Sequence, residues 1–266
     1  CQHPSAPAAA TMAVDDRHRL HRHPVQVSAW RGDDRTVVRS PSPARPLPTV
    51  EEVALSLRRL ADQGQQRAIT SALHHHELEP FLQNGFDVHE RLHLLRHDLQ
   101  HLPEVRPHPF RRAWRRDRPS VLALDGLAFD DFWALDARGL DDAIRATPVS
   151  RFRVRRSPDG DATGSTGVIA YAVTGRAGGR GYVQRLAVHP DHQRQGLGAA
   201  LVADALGWLR RGGASQALVN TQERNTGALS LYLACGFELE PTGLTVLTRT
   251  LDRPVADPAT DPVTDP

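Results

Sequence analysis

Hydrophobic positions in the second half of the chain switch between two periods. Residues 120–132 carry Val121, Leu124, Leu127 and Ala128 on one helical face, and 199–209 place Leu201, Ala205 and Leu209 four apart. Segments 152–155, 168–173, 182–188, 217–220 and 244–251 run apolar or alternate, as buried or half-buried strands do. Further helices are predicted over 140–146, over 227–234, and over 198–211, where Gly212-Gly213 supplies a stop. Turn-rich loops at 157–167 and 175–181 separate the strands. Strands and helices interleaved in this order predict a three-layer α/β (α+β) fold.

Composition bounds what surrounds this block. The 266 residues leave room for one large or two small domains, and 33 basic against 31 acidic residues give a net charge of +2. That balance makes no electrostatic case for a nucleic-acid partner. Every basic residue in that count is arginine, so chemistry that needs a lysine, such as a Schiff base or a P-loop phosphate contact, is excluded. Cys1 and Cys235 cannot build a disulfide framework, and no run approaches the roughly 20 apolar residues of a membrane span. A cytoplasmic protein is expected, with no membrane partner and no metal; its oligomeric state stays open. Residues 1–24, rich in Pro, Ala, His and Arg, and the tail 252–266, which repeats Asp-Pro, are expected to be disordered.

The chain also echoes itself. Phe81-Leu82-Gln83-Asn84-Gly85-Phe86 matches Tyr232-Leu233-Ala234-Cys235-Gly236-Phe237, and Gln66-Arg67-Ala68-Ile69 resembles Ser215-Gln216-Ala217-Leu218. A helix over 51–61 then corresponds to the one over 198–211. Residues 25–101 read as an incomplete copy of the fold in 102–251, with a Pro/Arg-rich divide at 102–119.

The segment carrying the chemistry is Gln193-Arg194-Gln195-Gly196-Leu197-Gly198. It follows a strand closed by Val188-His189-Pro190 and opens a helix. Glycines let a backbone approach phosphates closely, and the first helical N–H groups point at them. Downstream, Asn225, Ala228, Leu231, Tyr232, Gly236 and Phe237 form a second motif. Together these two motifs resemble the GCN5-related N-acetyltransferase (GNAT) superfamily. The tandem layout is similar to that of actinobacterial two-domain members, which include mycothiol synthase.

That resemblance implies a central mixed, mostly antiparallel twisted sheet flanked by helices. It implies acetyl-CoA as co-substrate and a small-molecule or peptide amine as acceptor. The strand before the loop would splay from its neighbour, leaving backbone groups at Leu186, Ala187 and Val188 for the pantetheine amides. Gln193, Arg194, Gln195, Gly196, Leu197, Gly198 and Ala199 would cradle the pyrophosphate, with Arg194 either touching a phosphate or lying solvated. Asn225 would bond the cofactor arm or cap its helix, and Tyr232 would be the general acid to the departing thiolate.

No carboxylate stands in the expected inward series Tyr182, Gln184 and Leu186, so Glu223 is the first candidate base, ahead of Asp131 and Asp136. Asp131, Phe132 and Trp133, within the 129–133 stretch, are candidates to meet the acceptor. The first copy is expected to bind no acetyl-CoA and to serve as a packing partner or a wall of the acceptor cleft. Its loop position holds the proline-rich 41–48, with no glycine and few N–H donors, and Phe81 replaces Tyr232. The runs His74 to His76 and His89, His93 and His97 are read as solvated rather than metal-binding. A non-catalytic acyl-CoA sensor or scaffold is the alternative to an enzyme.

Overall fold

The computed structural model describes residues 25–30, 35–39, 46–157 and 167–251. Both flanks expected to be disordered, and residues 41–45 of the proline-rich loop, lie outside the described residues.

The first half runs β1 (Gln26–Ala29), β2 (Arg35–Arg39), α1 (Val50–Asp62), β3 (Arg67–Thr70), β4 (Leu73–His74), the short α2 (Glu79–Leu82) and the long β5 (Asp87–His97). The second runs β6 (Arg111–Arg112), α3 (Arg118–Ala128), α4 (Ala137–Arg145), β7 (Val149–Arg156), β8 (Val168–Ala177), β9 (Arg180–Val188), α5 (Leu197–Arg211), β10 (Gln216–Gln222), α6 (Thr226–Ala234), β11 (Glu238–Leu239) and β12 (Leu244–Thr250). The strands form one mixed sheet in the order β1-β2-β3-β12-β5-β10-β9-β8-β7-β6, with β4 paired to β12 and β11 to β5. Among the described residues only β2·β3 and β9·β10 pair in parallel.

Helices cover both faces of the second half, which explains its patterning. The first eight residues of β8 are all buried. Tyr171 and Val173 pack under Val121 and Leu124 of α3 and Leu140 of α4, whereas Ala170 and Ala172 pack against Leu197 and Leu201 of α5. A strand covered on both sides reads as an apolar run rather than an alternation.

The echo is a repeated local structure. Phe86 donates its N–H to the Phe81 carbonyl at 3.2 Å, and Phe237 donates to that of Tyr232 at 3.1 Å. Gly85 and Gly236 adopt φ of 72° and 84°, the left-handed conformation that closes a helix in this way. The halves are nevertheless not side by side. β12, from the end of the second half, lies between β3 and β5, and β5, from the first, lies between β12 and β10. Each half thus receives a strand from the other, and the 101/102 divide does not divide the sheet.

Two expectations change. The helix expected over 120–132 stops at Ala128, because Phe129 is extended and only its N–H still bonds back, to the Asp125 carbonyl. The β5 histidines are not uniformly solvated: His97 is 2% exposed, its Nδ1 accepting the Leu99 N–H at 2.8 Å.

Candidate active site

β9 and β10 pair only through Arg180–Tyr182 and Gln216–Leu218; beyond that ladder both strands continue without pairing to each other. The sheet therefore opens into a fork. A cavity of about 570 Å³ fills it, lined by residues 183–188 of one prong and 220–222 of the other. On its far side β9 stays paired to β8, Leu186, Ala187 and Val188 facing Ala172, Tyr171 and Ala170. Toward the fork, β9 has no ladder partner in this stretch, so its backbone groups on that side are available to a ligand.

The start of α5 stands at the cavity wall. Its N-cap, Gly196, has φ 81° and provides no side-chain cap, and no acidic residue stands in the first turn. The first N–H groups of the helix are thus left to an anion, and the helix dipole favours one. Arg194 also adopts a positive φ, 61°, a strained conformation for a residue with a Cβ. Gln193 and Gln195 donate from Nε2 to the carbonyls of Val188 (3.5 Å) and Asp191 (3.4 Å), bracing the loop. The counterpart helix α1 starts differently. Thr49 and Glu52 form a capping box, and Glu51 and Glu52 place negative charge in the first turn. That end satisfies its own donors and repels phosphate.

Of the residues expected to hold the co-substrate, Leu186, Ala187, Val188, Gln193, Arg194, Gly196, Leu197, Gly198, Ala199, Asn225 and Tyr232 line this cavity; Gln195 does not. Asn225 caps α6, its side chain accepting the Ala228 N–H at 2.9 Å. Tyr232 is 6% exposed, with its ring 5.6 Å from that of Phe237. Burial pushes its pKa up, so the hydroxyl keeps its proton well above the usual tyrosine range.

The acceptor side differs more from expectation. Trp133 lines the cavity, but Asp131 and Phe132 do not, and Glu223 is an exposed residue outside the lining. Asp136 caps α4 by accepting the Gly139 N–H and is likewise outside it. Tyr182, Gln184 and Leu186 do not share a face. The β8·β9 register shifts between Val173 and Thr174, so Gln184 sits in a bulge. Gln184 reaches Thr147 beyond α4, whereas Leu186 packs on the α5 side with Leu197 and Leu201.

The bulge also turns Arg185 into a buried network that periodicity did not reveal. Arg185 donates from Nε and Nη2 to both carboxylate oxygens of Asp125, each at 2.8 Å, and from Nη2 to the Trp133 carbonyl at 2.7 Å. Its guanidinium lies 3.4 Å over the Phe129 ring. Asp125 is fully buried and also accepts the Tyr171 hydroxyl and the Leu135 N–H. A carboxylate on the apolar face of a helix was the one sequence signal for this network. The first half contributes Trp30, Val37 and Leu92 to the lining. Nothing in local sequence announced them.

A mixed sheet split between two strands, with an uncapped helix start at its mouth, is the arrangement of the acetyltransferase-type fold. Residues 110–237 match the acetyltransferase (GNAT) family. The matched residues, just under half of the chain, resemble this superfamily. An aminoglycoside N(6')-acetyltransferase type 1 from Klebsiella aerogenes is 35% identical over 83 residues, which are 30% of this chain and 55% of that protein. The chain thus spans about half the length of this curated relative. A GCN5-related N-acetyltransferase from Sphaerobacter thermophilus superposes with a TM-score of 0.60 at 16% identity, covering 85% of this chain and 76% of the other. A tandem GNAT protein from the clavulanic acid biosynthesis pathway gives 0.58 at 16% identity, covering 86% and 78%. At such identities these two report on the fold. Among the described residues no helix is long and apolar enough to cross a membrane, and no cluster of three or more metal-ligating side chains occurs.

Proposed function

We propose that this chain is an N-acetyltransferase that moves the acetyl group of acetyl-CoA to a primary amine by direct attack in a ternary complex. The observation that carries this reading is the fork between β9 and β10 opening onto the uncapped start of α5. Pantetheine would run along residues 186–188 and the pyrophosphate would rest on the loop over 193–199. The amine lone pair attacks the thioester carbon, which the Val188 N–H polarises; the C–S bond breaks and its electron pair goes to sulfur. Tyr232, protonated at working pH, delivers a proton to the departing thiolate. The amine loses its own proton through water to Asp142, the one carboxylate among the lining residues, rather than to Glu223. One site is proposed, because α1 caps itself where α5 does not.

Tyr232→Phe tests the reaction. With any amine that turns over, thiol release should fall by about a hundredfold while acetyl-CoA affinity stays within about twofold. Undiminished turnover would remove Tyr232 from the mechanism. A second reading, a non-catalytic acyl-CoA sensor, is favoured by the lack of a carboxylate among β9 residues 183–188. Tight acetyl-CoA binding without turnover across amino acids, peptides, polyamines and aminoglycosides would establish it instead.

A further inference from the structure

The acceptor end of the cavity is built by both halves and is aromatic. Trp30, on the stretch between β1 and β2, lines it, as do Phe129 and Trp133 between α3 and α4. The two tryptophans are held in one unit by Phe132, whose ring centroid lies 5.8 Å from Trp30 and 4.9 Å from Trp133. The β5 strand adds Leu92 to the lining, and it also carries His89, whose ring lies tilted against that of Phe132 with centroids 3.9 Å apart. Leu92 belongs to the same apolar cluster against which Trp30, Phe132 and Trp133 pack. This explains why Phe132 is absent from the lining. It is the buttress, and the tryptophans are the surface.

The charge of this wall selects further. The lining carries Arg138 and Asp142 on α4, while the charge of Arg185 is already met by Asp125 and Arg194 belongs to the loop before α5. Nearby acids are already engaged: Arg224 donates to Asp130 at 2.7 Å and to Glu90 at 3.0 Å, and Gln222 donates to Glu90 at 2.9 Å. A polycation would therefore find one lining carboxylate, Asp142, for its several charges. An apolar body bearing a single amine meets two indoles and a phenyl ring, where burial and edge or face contacts both favour it.

We infer that the acceptor is an arylalkylamine-like monoamine, clasped between Trp30 of the first half and Trp133 of the second. The inference rests on the acetyltransferase reading and extends it to the substrate class. It makes the first half a specificity element of the one site, with Trp30 as its contact residue.

The test uses the full chain. Initial rates with acetyl-CoA are compared for 2-phenylethylamine and tryptamine against spermidine and kanamycin, and binding of each amine is read separately by quenching of tryptophan fluorescence. The arylalkylamines should have at least about tenfold higher kcat/KM than the polyamines. Trp30→Ala and Trp133→Ala should each raise the arylalkylamine KM about fivefold or more, with Trp30→Phe restoring most of the loss. Acetyl-CoA affinity, measured by calorimetry, should be unchanged in all three variants and shows that they fold. A preference for spermidine or kanamycin, or an arylalkylamine KM indifferent to Trp30→Ala, overturns the inference. If arylalkylamines quench and bind but no variant or wild-type chain binds acetyl-CoA, the clasp stands and the acetyltransferase reading fails. If acetyl-CoA binds and arylalkylamines neither bind nor react, the clasp alone fails.

Discussion

The buried ring of His97 lies 5.2 Å from that of Phe237, although one closes strand β5 of the first half and the other follows α6 of the second. The reciprocal contact exists at the other end of the exchange, where Arg249 of β12 donates to the Asn84 carbonyl in the turn after α2. Each half's helix-closing turn is thus packed by the strand that the other half donates.

Separated halves should therefore not fold. A chain of residues 102–266 loses β5, which pairs with β10 along Ala217–Gln222, and with it Leu95, exposing Val219 and Phe237 of the same cluster. It should show no cooperative urea transition, and co-expression with residues 1–101 should restore one. Cooperative unfolding of the second half alone, with a denaturant slope close to that of the whole chain, would show that the exchange is dispensable.

Gly196 is the residue whose backbone the loop cannot replace. An added Cβ would meet His108 Nε2 at 3.7 Å, an ordinary contact, so the cost of Gly196→Ala is conformational. At φ 81° that cost should be about 1 to 2 kcal/mol in thermal unfolding, together with a raised acetyl-CoA KM. Gly196→Asn, which tolerates the left-handed region better, should recover part of both. Equal effects of Ala and Asn would point to lost space rather than to strain.

Asp125 and Arg185 form a buried pair whose members are costly to leave alone. Asp125→Ala should destabilise by about 3 to 5 kcal/mol, because the guanidinium would be left buried without its counter-charge. The double change Asp125→Leu with Arg185→Met should cost less than Asp125→Ala alone. Strict additivity in a double-mutant cycle would sink this account.

His97 makes stability depend on pH. Burial lowers its pKa below the ordinary histidine value, and its Nδ1 is occupied by the Leu99 N–H. The unfolded chain takes up a proton near pH 6.5 that the folded chain refuses, so this group's contribution is full above that pH. It declines as pH falls toward the folded value. Urea midpoints measured from pH 7.5 to 5.5 should fall, and His97→Asn, which keeps an acceptor but cannot titrate, should flatten that slope. An unaltered slope in the variant would assign the pH dependence elsewhere.

Local features were legible because their causes are local. The helix at 197–211 is written in its apolar spacing and its glycine flanks, and the repeated closing turns are written in Gly85 and Gly236. The elements expected to hold the co-substrate were legible for the same reason: a strand, a loop and a helix start are contiguous in sequence. The acceptor side was not. Alternation over residues 182–186 assumes a regular strand, and the bulge at Gln184 reverses the parity that would have exposed Arg185.

By itself, then, the sequence determined the elements, the glycine loop before α5, Tyr232 on its helix and a first copy whose loop lacks glycine. Only the tertiary structure decided which strands pair, because register and exchange are set by contacts between residues more than a hundred positions apart, such as Leu92 with Gln222 and Leu244. That pairing brings Trp30 and Leu92 into a cavity otherwise made by the second half, and leaves Glu223 outside it.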